Sequence, residues 1–352
     1  MAHHTLYRDG DGAVILDQTR LPFGLDHRRL QRLEDAAGAI RGMQVRGAPL
    51  IGATAACGVA LAMQTDASDA GLDSALDVLG ATRPTAVNLH WALARMRAAL
   101  SALRAAERVA AAWSEFEAIC AEDVATNAAI GRHGLELIRD HASARGDRPV
   151  RVMTHCNAGW LATLGHGTAL APIYAAHDAG IAVEVWVSET RPRNQGLLTA
   201  WELRDGGVAH RLIADNAAGL LMSRGEVDLV ITGADRVAAN GDTANKVGTY
   251  LKALAARDNG IPFYIAAPRS TIDHDCPTGA DIPIEERDGD EVRHVHGIAA
   301  GKAGVVAIAP PEAAVANPAF DVTPARLITA IITEVGMFPP ERLQRLAAGG
   351  VR

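Results

Sequence analysis

DLVITGADRVAANGDTANKVGTY, residues 228–250, decides how the chain is read. Leu229 to Ile231 is a short apolar run, the mark of a strand buried on both faces. Thr232-Gly233-Ala234-Asp235 brings it to a stop. The polar stretch that follows reads as a loop and carries two carboxylates (Asp235, Asp242), two amides (Asn240, Asn245) and two cations (Arg236, Lys246). A helical pattern, placed over Lys246–Arg257, resumes at Val247 and runs through Leu251 and Leu254. Charged and amide groups therefore gather where a buried strand gives way to a helix. In a parallel α/β sheet that edge is where ligands bind. Thr232, Thr243 and Thr249 add hydroxyls, and Gly233, Gly241 and Gly248 let backbone approach a ligand closely.

The same alternation extends on both sides of this stretch. Short apolar runs fall at 150–155, Ala182–Val187, Arg211–Ile213 and Phe263–Ala266, with helical patterns over Thr168–His177, Gly196–Arg204 and Ala217–Ser223. Strand–helix alternation implies βαβ units and a parallel sheet, so the fold class is α/β. Right-handed crossovers bring the strand ends to one edge: His155-Cys156-Asn157, Ser188 to Arg191, Asp215-Asn216, Gly233-Ala234-Asp235 and Ala267-Pro268. Before Val150 the pattern differs. A hairpin of Thr5–Arg8 and Ala13–Leu16 flanks Asp9-Gly10-Asp11-Gly12, and from Asp26 to His141 the periodicity is helical with no strand. The chain divides into a mainly helical domain, 1–145, and an α/β domain, 146–352. Near the C-terminus an extended piece covers Ile282–Arg287. A helix is expected from Ala325 to Glu334, and a last exposed helix after Pro339.

Composition narrows the function. Hydrophobic residues make up 49% of the 352 but aromatics only 4%, so the core is built from Ala, Val, Leu and Ile. A net charge of −7 argues against a general nucleic-acid binder. Cys57, Cys120, Cys156 and Cys276 are far apart and form no Cys-x-x-Cys, as expected of reduced thiols in a cytoplasmic protein. The N-terminus shows no apolar signal core, and no run is read as reaching the ~18 residues of a membrane span.

Several stretches carry chemistry. Arg46-Gly47-Ala48-Pro49 precedes a helical run, and Arg83-Pro84 precedes another. Proline suits a helix's first turn, and the N–H groups there suit an anion. Each Arg reads either as an anion ligand or as a surface charge. Cys156, just past a strand, is either an activated thiol or a small core residue. His155 is either a satisfied neighbour or a proton carrier. Gly165-His166-Gly167-Thr168 reads as a helix opening suited to phosphate. Asp235 is either an acid holding a proton near neutrality, or a helix cap or ion-pair partner of Arg236 or Lys246. Residues 189–196 add two Arg, two amides and a Gly. No dinucleotide, P-loop or esterase fingerprint is present. His294-Val295-His296 and His3-His4 lack a third ligand, so neither metal nor cofactor is expected. These parts suit a phosphorylated small polar substrate and a proton transfer.

RGAP (46–49), RPTAVNL (83–89), THCNAG (154–159), ETRPRNQG (189–196), DNAAG (215–219) and GADR (233–236) through Asn245-Lys246 resemble the methylthioribose-1-phosphate isomerase family. That family is related to the regulatory subunits of translation initiation factor 2B. The likeness runs from Arg46 to Thr329. It implies a Rossmann-like sheet domain preceded by a smaller helical domain, a homodimer, and an aldose–ketose isomerisation in methionine salvage, from 5-methylthioribose 1-phosphate to 5-methylthioribulose 1-phosphate. It implies Cys156 and Asp235 as the catalytic pair, with Arg46, Gly47, Ala48, Arg83, Gln195, Asn245 and Lys246 holding the phosphate and sugar hydroxyls. Arg269 departs from the family's usual small residue, and is either a surface charge or a contact to the 5-substituent. Related readings are an isomerase of 5-deoxyribose 1-phosphate or of ribose 1,5-bisphosphate, and a regulatory subunit without turnover.

Overall fold

The computed structural model describes residues 4–83 and 85–343. The chain forms two compact units. One runs up to Ala128 and also takes in Gly159–Gly167; the other holds Ala129–Ala158 and the chain from Thr168 onward.

In the first unit β1 (Leu6–Asp9) and β2 (Gly12–Leu16) make the expected hairpin. A third antiparallel strand, β3 (His27–Leu30), lies where the sequence reading had only helix. Its His27, Arg28 and Arg29 are all exposed, so no apolar alternation betrays it. Arg29 ties it to Asp9 and Asp11. Helices α1 (Leu33–Arg41), α2 (Ala48–Thr65), α3 (Asp69–Gly80), α4 (Val87–Leu100) and α5 (Ala105–Arg145) follow. α2 is the centre of this unit and packs against α1, α3 and α4. Contrary to the expectation that no run reaches the length of a membrane span, its 18 residues are long and apolar enough to cross a membrane by length and composition. Because 13 of them are buried among the other helices, α2 is a core helix.

The second unit continues with β4 (Val150–Thr154), α6 (Ala171–Asp178), β5 (Val183–Ser188), α7 (Gln195–Asp205), β6 (Ala209–Ile213), α8 (Ala217–Ser223) and β7 (Leu229–Thr232). Then come β8 (Arg236–Ala238), β9 (Thr243–Lys246), α9 (Thr249–Asp258), β10 (Phe263–Ala266), β11 (Ile272–Asp273), β12 (His294–Ala299), β13 (Lys302–Ala307), β14 (Phe320–Thr323), β15 (Ala330–Thr333) and β16 (Gly336–Phe338). The main sheet has the order β16-β15-β10-β7-β4-β5-β6, parallel throughout except for β16. Counted along the chain from β4, the parallel strands stand 3-2-1-4-5-6, the doubly wound order. Alternate residues feed two cores: Val152, Leu229 and Ile231 on one face, Met153 and Val230 on the other.

The five expected strands and four expected helices of this unit are present, with three corrections. Residues 325–334 are not a helix: a 3-10 turn, Ala325–Leu327, leads into β15, whose Ile331 and Ile332 are buried beside β10. β-Branched residues in a four-residue buried run pack better in a sheet than in a helix. The polar stretch after Asp235 is the β8–β9 hairpin of a second sheet, β11-β8-β9-β14. Gly165 to Thr168 opens no helix, since α6 begins at Ala171. Of the last expected helix, Pro340–Arg342 forms a 3-10 turn, Leu343 is a turn residue, and residues 344–352 lie outside the described residues.

Candidate active site

The order of the parallel strands reverses between β4 and β7, and ligands of such sheets bind beyond the strands' carboxyl ends at that point. Cys156 follows β4 and Asp235 follows β7. The two loops touch: a β-carbon added to Gly233 would lie 2.8 Å from that of Ala158.

Beyond β4 the chain takes an uncommon path. Cys156 has φ +67° and Thr190, in the loop after β5, has φ +65°. Few non-glycine residues sit there, and a β-branched one rarely. The Cys156 N–H donates to Thr190 Oγ1 at 2.8 Å, and Thr199 Oγ1 donates to the Cys156 carbonyl at 2.8 Å. Asn157 donates its amide to the buried Glu202 at 2.8 Å. His155 is fully buried, with Nε2 2.9 Å from the Val247 carbonyl, so that nitrogen carries the proton. Burial, aided by the positive charge of Lys252, lowers its pKa to about 3. His155 is thus a neutral, hydrogen-bonded neighbour of Cys156. Asp215, after β6, accepts from the Thr190 and Arg191 N–H groups at 2.8 and 2.7 Å and from the Ser188 hydroxyl. Burial works to raise its pKa, but these donors and the nearby Lys252 hold it below the usual carboxylate range.

Beyond β7 the chain stays regular. The Asp235 N–H donates to the Ala244 carbonyl at 2.9 Å, which fixes the half-buried Asp235 at the mouth of the β8–β9 hairpin. At the hairpin's far end Asp242 is structural: it accepts from the Asn240 amide, the Gly279 N–H and the Ala325 N–H at 2.8–2.9 Å. Asn245 and Lys246, closing β9, are buried. The Asn245 amide donates to Thr249 Oγ1 at 3.0 Å, and Lys246 Nζ donates to the Ala319 carbonyl at 2.8 Å and lies 4.5 Å from the Phe320 ring. Asp321 accepts from the Gly248 and Tyr250 N–H groups, so it caps α9. Gln195 opens α7, and its Oε1 is buried with no hydrogen-bond donor among the described residues, as is Thr232 Oγ1 at the end of β7.

Some cations expected at this edge are engaged elsewhere. Arg191 donates to the Val292 carbonyl at 2.8 Å, and Arg193 pairs with Glu291 at 2.8 Å. Arg269 pairs with Glu334 at 2.7 Å, so its charge is already balanced within this chain.

Arg46, Gly47, Ala48 and Arg83 lie in the first unit. Gly47 caps α2 with φ +90°, and any β-carbon there would collide with Ala162, so only glycine fits. Ala48 is the first residue of α2. Arg83 stands ahead of α4, which opens at Val87. A β-carbon on Gly52 would lie 2.7 Å from the Asn88 carbonyl, so α2, one turn in from its start, lies against the first turn of α4. Two helix N-termini together, each preceded by an arginine, are suited to a phosphate.

The structure thus gathers Cys156, Asp235, Gln195, Asn245 and Lys246 at one edge of the sheet unit, and Arg46, Gly47, Ala48 and Arg83 at one end of the helical unit. Sequence reasoning missed Thr190, Thr199 and Asp215 as supports of Cys156. Asp215 and Thr190 stood among the strand-end residues, but nothing in their types announced a left-handed turn.

Comparison with known proteins shows the family and the fold. The model of the initiation factor 2 subunit family matches residues 44–340. A methylthioribose-1-phosphate isomerase from Dechloromonas aromatica is 66% identical over 329 residues, covering 93% of this chain and 91% of that protein. One from Gluconobacter oxydans is 58% identical, over 96% of this chain and 93% of that protein. Among solved structures, the 5-methylthioribose 1-phosphate isomerase of Pyrococcus horikoshii superposes with a TM-score of 0.82 at 40% identity, covering 97% of this chain and 95% of that one. A protein from A. fulgidus described as the delta subunit of translation initiation factor eIF-2B gives 0.79 at 39% identity, covering 97% and 98%. The chain belongs to the initiation factor 2 subunit family, on the branch of the methylthioribose-1-phosphate isomerases.

Proposed function

We propose that the chain converts 5-methylthioribose 1-phosphate to 5-methylthioribulose 1-phosphate, a step of methionine salvage, with Asp235 and Cys156 as its reacting groups. The observation that carries this reading is their placement on touching loops at the point where strand order reverses. In this substrate the anomeric oxygen bears the phosphate, so the ring cannot open to a free aldehyde. Asp235 protonates the ring oxygen as the C1–O bond breaks. Hydrogen then passes from C2 to C1, either as a proton carried by Cys156 or as a hydride whose transition state the thiol stabilises, while the C2 hydroxyl gives its proton back to the Asp235 carboxylate and becomes the ketone. A buried acceptor without a donor costs about 1–3 kcal/mol. A sugar hydroxyl donating to Gln195 Oε1 offsets that cost. The Arg46 and Arg83 helix ends hold the phosphate.

A second reading, a regulatory subunit without turnover, is favoured by the likeness to the A. fulgidus protein. One assay separates the two. Purified protein is given 5-methylthio-, 5-deoxy- and 5-phosphoribose 1-phosphate in turn, with no nicotinamide added. Fastest conversion of the methylthio sugar is expected. Faster conversion of another sugar reassigns the substrate, and binding of all three without conversion leaves the regulatory reading.

A further inference from the structure

We propose that Thr190 and Asp215 are positioning residues for Cys156: Asp215 fixes the turn that carries Thr190, and the Thr190 hydroxyl fixes the backbone that presents the thiol. The inference rests on Cys156 being a reacting group. Two left-handed non-glycine residues joined by a hydrogen bond persist only where their surroundings over-determine them. Here the surroundings are explicit. Both the N–H and the carbonyl of Cys156 are bonded to threonine hydroxyls, one from the loop after β5 and one from α7. Thr190 in turn donates its hydroxyl to the Ser188 carbonyl at 2.9 Å and its N–H to Asp215 at 2.8 Å. The second Asp215 oxygen takes the Arg191 N–H at 2.7 Å. Lys252 Nζ lies 3.9 Å from Asp215, so the carboxylate keeps a cation close by. The loop after β5 and helix α7 thus hold both sides of Cys156, and Asp215 holds the loop, a geometry that sets where the thiol stands and not whether substrate binds.

The experiment compares Thr190→Val, which keeps the branched shape and loses the hydroxyl, with Thr190→Ser, which keeps the hydroxyl. On 5-methylthioribose 1-phosphate, Thr190→Val is expected to lose about 100-fold in kcat, the cost of a displaced reacting group, with KM changed less than about threefold. Thr190→Ser should stay within about twofold of the parent in both. A Thr190→Val enzyme with parental kcat overturns the proposal, as does a Thr190→Ser enzyme as slow as Thr190→Val. If Thr190→Val does not fold, Asp215→Asn takes its place, with a fall of about tenfold in kcat expected and none being disproof. Alkylation of Cys156 by iodoacetamide, followed by mass spectrometry, tests positioning without turnover. Its rate should change in Thr190→Val and hold in Thr190→Ser; equal rates in both overturn the proposal. A fully active Cys156→Ser enzyme removes the thiol from the chemistry, and the alkylation rates still decide whether Thr190 positions it.

Discussion

β4 and β7 lie side by side in one sheet, and each delivers one proposed reacting group from its carboxyl end, yet they end differently. β7 hands its carboxylate to a regular hairpin, where the Asp235 N–H is bonded across the ladder to Ala244. β4 hands its thiol to a left-handed turn held by side chains from the loop after β5, the loop after β6 and α7. One group is located by repeating backbone geometry, the other by an assembly of hydroxyls and a carboxylate.

The sharpest way to break this comparison is to remove the groups themselves. Cys156→Ser and Asp235→Asn are each expected to lose about 100- to 10,000-fold in kcat, the range for a positioned proton-transfer group. Binding of sugar phosphate, measured by calorimetry, should stay close to the parent's. Parental turnover in either variant removes that residue from the mechanism.

A smaller effect tests the hairpin. Burial works to raise the Asp242 pKa, but the Ala325 N–H, the Asn240 amide and the Gly279 N–H win, and it is held below the usual carboxylate range. A carboxylate whose folded pKa lies below its unfolded one stabilises the fold above the unfolded value, and that stability is lost as pH falls through the folded one. Asp242→Ala should therefore cost about 2–3 kcal/mol in urea unfolding at neutral pH, and less in acid. A penalty that does not shrink in acid would count against a charged Asp242 as the hairpin's anchor.

The smallest effect concerns the chain just past the β4 turn, Gly159–Gly167, which belongs to the helical unit. There Asp123 accepts the Leu164 N–H at 2.8 Å and the Asn127 amide at 2.9 Å, and burial pushes its pKa up to about 7. The sign is opposite to that of Asp242. Between the ordinary aspartate value and about 7 the folded chain holds a proton that the unfolded chain does not, so this site loses stability as pH rises. Asp123→Asn, neutral at every pH, should gain about 1–2 kcal/mol above neutrality and flatten the pH dependence of urea unfolding. An Asn variant less stable than the parent at high pH would show that the carboxylate is wanted charged.

How far the sequence could be read follows the same division. β4, β5, β7 and β10 are legible because each is a short apolar run buried on both faces. Cys156 and Asp235 are legible because they stand directly after such runs. β8 and β9 are not, because Thr243, Asn245 and Lys246 are polar residues buried in a strand for the bonds they make to Gly241, Thr249 and Ala319. β15 is hidden by Pro324-Ala325, which reads as a helix start and supplies only a 3-10 turn. The Thr190–Asp215 support is least legible of all. A threonine in a left-handed turn contradicts its own preference, and only partners brought by the fold keep it there.

The assignment of Gly159–Gly167 to the helical unit has a practical consequence. The polypeptide passes from one unit to the other within α5, returns after Ala158, and leaves again after Gly167. Neither unit is one uninterrupted stretch of polypeptide. Cutting the gene after Ala128 would strip the N-terminal fragment of the partners of Thr5, Gln18 and Asp123, namely Thr163, Leu161 and Leu164. Separate expression of the two halves would call for a circularly permuted or spliced gene, not a simple truncation.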